Sequence, residues 1–346
     1  MSRPKITTLL IEDSGLMRII LSDLLRKDPE IELLATASNG KEGVAKIHKL
    51  KPDVIITDMV MPESDGLEVV KTVMSSYPTP VILLSSLEKE DPKVFEALST
   101  GAFDFLNKEE VASLARQNQY PLNELIKAAG EVPLEKLRQR DIKKNNHAHS
   151  FDAQLQYEII AVGASTGGPS AVETLLQGLP ANLSIPVVIA QHMPEHFLIS
   201  FAKRLDKITP LKVKIAERNE VLCGGTVYIM PGNTNTHVIR EPLNQNPVFR
   251  FTKRQYKEFN HPSVDGLLLS VAELYREKAI GVVMTGMGKD GTEGLKAIHQ
   301  YKGYTIAQDA SSSIVYGMPK SAVECGVVKQ VLRLREIAGF LVSCLS

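Results

Sequence analysis

The sequence predicts an α/β protein made of two successive doubly wound units. Short aliphatic runs alternate with amphipathic stretches along most of the 346 residues, the pattern of a parallel sheet covered by helices on both faces. A charge-rich, weakly apolar stretch over 131–156 interrupts that alternation and divides the chain. Hydrophobic residues make up 43% of the chain, yet Trp is absent and aromatics reach only 5%, so the cores must be filled with aliphatic side chains.

In the first unit, residues 7–11, 54–57, 81–84 and 103–106 are apolar runs that read as strands. Residues 15–27 place Leu16, Ile19, Ile20 and Leu24 at helical spacing, and 41–49, 66–74 and 92–100 read as further helices. Residues 109–119 are charged and weakly apolar, whereas 121–129 are amphipathic through Leu122, Leu125, Ile126 and Ala129. In the second unit, strands are expected at 158–162, 186–190, 226–229 and 280–285, with helices at 170–176, 196–205, 263–275 and 291–300. The expected domains are 1–130 and 157–346, joined by a linker over 131–156. His147 and His149 sit in that linker, where composition favours solvated residues over metal ligands.

Lys plus Arg and Asp plus Glu both number 40, so the formal net charge is zero. That balance excludes the basic surplus of a general nucleic-acid binder and the high net charge of a disordered chain. Cys223, Cys325 and Cys344 lie far apart and form no CxxC pair, which excludes a disulfide framework and suits a reducing compartment. The first apolar run is followed at once by two acids, unlike a signal peptide, and no apolar stretch approaches the ~18–20 residues that span a bilayer. These features predict a cytoplasmic protein with no membrane insertion.

Ligands of a doubly wound sheet gather at the carboxyl ends of its strands. In the first unit that rule selects Glu12 and Asp13, Asp58, Ser85 with Ser86, and Lys108. Converging carboxylates repel unless a cation joins them, and such hard oxygen donors suit Mg²⁺. A lysine and a hydroxyl beside them suit phosphoryl oxygens, so the set points to an aspartate that accepts a phosphoryl group. Solvated loop residues are the competing reading, and for any one of these acids alone that reading is preferred.

The runs I-E-D-S at 11–14, T-D-M-V-M-P-E-S-D-G at 57–66, S-S at 85–86 and F-L-N-K at 105–108 resemble a two-component response-regulator receiver domain over about residues 5–130. The resemblance implies a flavodoxin-like (βα)5 fold, phosphorylation of Asp58 by a histidine kinase, and Mg²⁺ held by Glu12, Asp13 and Asp58. It further implies Ser85 and Lys108 as the phosphate-sensing pair and Phe105 as an aromatic that changes rotamer on activation. One departure is Glu109, which stands where the family usually has proline after the lysine.

In the second unit, the run 159–162 leads into G-A-S-T-G-G-P-S at 163–170. A P-loop has matching glycines at Gly163 and Gly168, but Pro169 replaces its lysine. A dinucleotide fingerprint requires glycine where Ser165 stands. A nucleophile elbow, G-x-S-x-G, matches Gly163, Ser165 and Gly167 between a strand and a helix. Either Pro169 in the first helical turn or a Ser170–Glu173 capping box would start that helix. A nucleophilic serine needs a base and a group that orients the base. Q-H-M-P at 191–194 supplies His192 and M-T-G-M-G-K-D-G at 284–291 supplies Asp290, each after an expected strand. Loop amides such as those of Thr166, Met287 and Gly288 are candidates to hold an oxyanion. His192, Glu195 and His196 also spell H-x-x-E-H, an inverted zinc-hydrolase pattern that Pro194 disfavours. Ser263 is expected to cap a helix, and Met284, Met287 and Met318 read first as packing residues.

G-A-S-T-G-G, Q-H-M-P, H-P-S-V-D, M-T-G-M-G-K-D-G and Y-G-M-P at 316–319 together closely resemble the chemotaxis protein-glutamate methylesterase family over about residues 157–346. The resemblance implies Ser165 as nucleophile, His192 as general base and acid, and Asp290 as the group orienting His192. It implies a Met287 backbone N–H at the oxyanion, with Thr166 beside it, and no cofactor for the esterase. The expected reaction is hydrolysis of glutamate γ-methyl esters on the cytoplasmic domains of methyl-accepting chemoreceptors, releasing methanol, with deamidation of receptor glutamines. The receiver is expected to block the esterase until it is phosphorylated. Two readings of other classes stand beside this one: a phosphorylation-controlled adaptor with an inert esterase-like module, and a zinc hydrolase at His192 and His196.

Overall fold

A computed structural model describes residues 4–86, 91–116, 121–133, 157–257 and 261–345. The chain divides into two compact units, Met1–Ile142 and Lys143–Ser346. Beyond Pro133, the linker expected over 131–156 lies outside the described residues, and so do His147 and His149.

The first unit runs β1 (Ile6–Ile11), α1 (Gly15–Arg26), β2 (Ile31–Ala37), α2 (Gly40–Leu50), β3 (Val54–Asp58), α3 (Gly66–Ser76), β4 (Val81–Ser85), α4 (Asp91–Thr100), β5 (Asp104–Asn107), α5 (Lys108–Arg116) and α6 (Pro121–Gly130). Its five strands form a parallel sheet in the order β2-β1-β3-β4-β5, a flavodoxin-like arrangement. The central β3 and β4 are buried along their whole length, which is why their aliphatic runs are continuous. Ser14, Asn39 and Asp65 cap α1, α2 and α3 by accepting the backbone N–H three residues on. The edge strand β2 is half-buried and escapes the sequence reading.

The expected (βα)5 pattern gains a helix. The weakly apolar stretch after β5 is the helix α5, begun by Lys108 itself, with Asn107 Oδ1 accepting the Glu110 N–H at 3.0 Å. Glu109, which departs from the family's proline, therefore lies in a first helical turn, where an acid is favoured by the helix dipole. The amphipathic α6 follows and packs on β1 and β3.

The second unit runs β6 (Ile159–Ala164), α7 (Gly168–Gln177), β7 (Val187–Gln191), α8 (Glu195–Ile208), β8 (Lys212–Ile215), β9 (Thr226–Ile229), β10 (Asn235–Arg240), β11 (Pro247–Thr252), α9 (Val264–Tyr275), β12 (Ala279–Val283), α10 (Thr292–Gln300), β13 (Tyr304–Gln308), α11 (Met318–Glu324), β14 (Gln330–Leu332) and α12 (Leu334–Leu345). Seven strands form a sheet in the order β14-β13-β12-β6-β7-β9-β8, with every pair parallel. β10 and β11 form a separate antiparallel pair. β6 is central and fully buried. The chain winds outward from β6 through β7 and returns to β12 on its other side, so a topological switch point lies between β6 and β12, where such folds bind ligands.

Candidate phosphoacceptor and active sites

In the first unit, β1 and β3 are neighbours, so Glu12, Asp13 and Asp58 meet at one sheet edge. One carboxylate oxygen from each lies within 4.8 Å of the others. Glu12 and Asp58 are buried, whereas Asp13 is exposed. Lys108 Nζ stands 2.5 Å from Asp58 Oδ2 and 2.9 Å from Glu12 Oε2, joining β5's end to β1 and β3. Burial pushes the Asp58 carboxyl up to about 6; Lys108 pulls it back, and the Glu12 charge adds to the rise. Burial opposes the charge on Lys108, but its bonds to Asp58 and Glu12 outweigh that and hold its pKa above the ordinary lysine value.

Ser85 is buried at the end of β4, one residue beyond Leu84, which pairs with Asp58. Phe105 is buried on β5, paired with Leu83. Two further residues shape the site. Arg18 reaches back from α1 to donate to the carbonyls of Glu12 (2.6 Å) and Asp13 (3.3 Å). A Cβ on Gly66 would stand 2.5 Å from the Asp58 carbonyl oxygen, so the loop after β3 closes this tightly only on glycine. Three carboxylates converging within 4.8 Å, two of them buried, are the hard oxygen donors that fit a divalent cation.

The second site grows from strand register. β6 pairs with β7 through Ala164 and Gln191, so Ser165 and His192 leave neighbouring strands side by side. The His192 N–H donates to the Ala164 carbonyl at 3.0 Å. On the other flank, β12 pairs with β6 through Val283 and Gly163, and the Ser165 N–H donates to the Thr285 carbonyl at 3.0 Å. Both elbow glycines are needed. A Cβ on Gly163 would lie 2.1 Å from Val264, and Gly167 has φ +73° with Ile314 2.7 Å from where its Cβ would be. Gly167 is also the N-cap of α7, with Pro169 in the first turn, so no Ser170–Glu173 capping box forms; Glu173 pairs instead with Arg204 at 3.3 Å. Among the described residues, Ser165 Oγ makes no hydrogen bond.

His192 Nε2 and Asp290 Oδ2 are 2.9 Å apart. Asp290 is 1% exposed and sits at the N-terminus of α9. Its Oδ2 accepts the Val264 N–H (2.8 Å) and its Oδ1 the N–H groups of Asp265 (2.8 Å) and Gly291 (3.0 Å). Burial pushes the Asp290 carboxyl up, but the His192 bond and these N–H groups prevail and hold it below the usual carboxylate value. Ser263 caps α9 through the Gly266 N–H at 3.1 Å. The neighbouring Asp265 accepts the Gly294 N–H at 2.8 Å, and burial pushes its carboxyl up to about 7.

Met287 is 39% exposed on the loop after β12. A Cβ on Gly286 would stand 2.7 Å from Ser165 Cβ, so the loop passes close to the serine only because residue 286 is glycine. The Gly286 carbonyl accepts the N–H groups of Gly317 (3.1 Å) and Met318 (2.8 Å), the middle of the Y-G-M-P run. Among the described residues, neither the Thr166 nor the Met287 N–H donates a hydrogen bond.

The zinc reading fails on this geometry. Pro194 caps α8, so His192 lies ahead of the helix that carries His196, and His192 Nε2 is engaged by Asp290. Glu12, Asp13 and Asp58 are the one group of three or more metal-capable side chains among the described residues. Sequence reasoning missed several supports. Gln191 donates to the Ser165 carbonyl, and Thr285 Oγ1 to the Thr166 carbonyl at 2.9 Å; both residues lie inside motifs already quoted. Asn235 Oδ1 accepts the Ser263 N–H at 2.6 Å, and Gln308 Oε1 accepts the Thr285 N–H at 2.8 Å; these two carry no local signal. Among the described residues, no helix is long and apolar enough to cross a membrane.

Two family models match the chain: a response regulator receiver domain over residues 8–116 and a CheB methylesterase over residues 160–341. A protein-glutamate methylesterase/protein-glutamine glutaminase of Pyrococcus abyssi is 36% identical over 96% of this chain and 92% of its own length. A second protein with that name, from Carboxydothermus hydrogenoformans, is 40% identical over 98% of both chains. The crystal structure of the Thermotoga maritima CheB methylesterase catalytic domain is 39% identical, with a TM-score of 0.52, and covers 54% of this chain and 98% of that one.

Proposed function

Because the chain belongs to the CheB methylesterase family, with a response regulator receiver domain ahead of the esterase, we propose that Ser165, His192 and Asp290 are its catalytic triad and Asp58 its phosphoacceptor. The chain is a phosphorylation-regulated hydrolase that demethylates chemoreceptor glutamate γ-methyl esters and deamidates receptor glutamines. The observation that carries the triad is the His192–Asp290 pair, with Asp290 buried, set beside Ser165 at the switch point of the sheet. We assign residues 1–130 to the receiver, 131–156 to the linker and 157–346 to the esterase, in keeping with the two matched ranges.

Asp290, ionised at the α9 N-terminus, keeps the proton on His192 Nε2, which leaves Nδ1 as the basic nitrogen. That nitrogen takes the Ser165 Oγ proton as Oγ attacks the γ-carbonyl. The developing oxyanion is received by the unpaired N–H groups of Thr166 and Met287. His192 returns the proton to the departing methoxide, methanol leaves, and a γ-glutamyl ester remains on Ser165. Water activated by His192 then attacks that ester, releasing the glutamate carboxylate and restoring Ser165. A glutamine follows the same course with ammonia as leaving group. No cofactor enters this scheme.

In the receiver, Glu12, Asp13 and Asp58 would hold Mg²⁺, whose charge offsets that of the incoming phosphoryl oxygens. Lys108 and Ser85 would read the new phosphoryl group on Asp58, with Phe105 following on β5. The phosphodonor is a histidine kinase and the substrate the cytoplasmic domain of a methyl-accepting chemoreceptor.

Ser165→Ala is expected to lose ~10⁴–10⁶-fold in methanol release from methylated receptor while keeping its fold. Release near the wild-type rate from that variant would sink the assignment.

A further inference from the structure

We propose that Gln191 is a positioning residue that holds the nucleophile turn and the base turn in one rigid unit. Its side chain is 1% exposed at the end of β7. Through Nε2 it donates to the Ser165 carbonyl at 2.9 Å and to the His192 carbonyl at 3.1 Å. Both partners only accept, so the amide nitrogen must face them and Oε1 must face away. Oε1 is buried without a hydrogen-bond partner, and a Cβ on Gly168 would stand 2.0 Å from it. A buried acceptor left unpaired weakens the fold, and an apolar side chain of the same length would avoid that. Such a side chain would not tie the two carbonyls together, and that tie is what the amide supplies.

The serine turn has a second, separate anchor on its β12 flank, where the Ser165 N–H and the Thr166 carbonyl both bond to Thr285. Asp290 fixes the His192 ring at Nε2. Gln191 is the side chain that links the backbone of the attacking residue to the backbone of its base. Without it, the approach of Ser165 Oγ to the histidine loses definition, and a displacement near 1 Å is enough to slow such a reaction about 100-fold.

The proposal rests on the assignment of Ser165 and His192 above. In the full chain, Gln191→Met keeps length and removes the donor. It is expected to lower kcat for methanol release from methylated receptor about 100-fold. KM should stay within about threefold, and the thermal midpoint should move by only a few degrees, because the unpaired Oε1 is removed while the His192 carbonyl loses its donor. Gln191→Glu separates positioning from packing, because its ionised carboxylate repels both carbonyls whereas its protonated form donates one hydrogen bond. The ratio of its kcat to the wild-type kcat should therefore climb as pH falls from about 8 to 5. Wild-type kcat in Gln191→Met overturns the proposal, as does a pH-independent ratio in Gln191→Glu. If Gln191→Met does not fold, the Gln191→Glu ratio decides. Ser165→Ala assayed in parallel keeps the two ideas apart: wild-type methanol release from it overturns the nucleophile assignment whatever the Gln191 variants do.

Discussion

Asp265 is a buried carboxyl that no step of the proposed reaction uses. Burial, with the charges of Asp290 and Glu293 nearby, raises it to about 7 in the folded chain from an ordinary value of 3.8. Between pH 4 and 7 the folded protein thus keeps a proton that the unfolded chain has released, and stability falls as pH rises through that window. Asp265→Asn keeps one acceptor for the Gly294 N–H and removes the charge. It is expected to stabilise the esterase unit by about 1–3 kcal/mol at pH 8, with the gain vanishing near pH 4. Urea unfolding at the two pH values checks this, and an equal difference at both would contradict it. At this scale the sequence was legible where chemistry clusters in motifs. Ser165, His192 and Asp290 each follow a recognisable strand, and Glu12, Asp13 and Asp58 do the same. Asn235 and Gln308 were not legible, because each acts through long-range hydrogen bonds that leave no local pattern.

The central strands of each sheet were easier to read than most at the rim, although the inner β13 was missed and the edge strand β5 was found. β3, β4, β6 and β12 are buried along their whole length and appear as unbroken aliphatic runs. β2, β8 and β14 are edge strands with mixed exposure, so their signal is diluted. α5 was read as a polar stretch because it is short and its apolar residues are few. The strand–turn–helix from β6 to α7 is the element on which the esterase depends. Gly167→Ala would force a residue with a side chain to φ +73° and drive its Cβ against Ile314. A loss of about 1–3 kcal/mol is expected, together with a fall in kcat larger than any change in KM. Thermal unfolding and steady-state methanol release test both halves of that expectation; an unaltered kcat would mean that the turn tolerates the strain without moving Ser165.

For the whole chain, the central expectation is coupling between phosphorylation and hydrolysis. Methanol release should rise when a small-molecule phosphodonor and Mg²⁺ are added, and Asp58→Ala should be indifferent to the same addition. A matching rise in Asp58→Ala would place control elsewhere. Phosphorylation replaces the Asp58 carboxylate, worth about −1, by an acyl phosphate of about −1.5 to −2, so it adds at most about one negative charge to a chain whose formal charge is zero and whose isoelectric point is about 7.1.

The order of strands also sets a birth order for the two activities. Every strand of the receiver sheet pairs within residues 6–107, so that sheet is complete early in synthesis. The central strand of the esterase, β6, must wait for β12, which begins 120 residues after β6 does. At roughly 5–20 residues per second, the ribosome spends on the order of ten seconds or more between the two. A nascent chain stalled in that interval is expected to accept phosphate while having no hydrolase activity, since Asp290 has not yet been made.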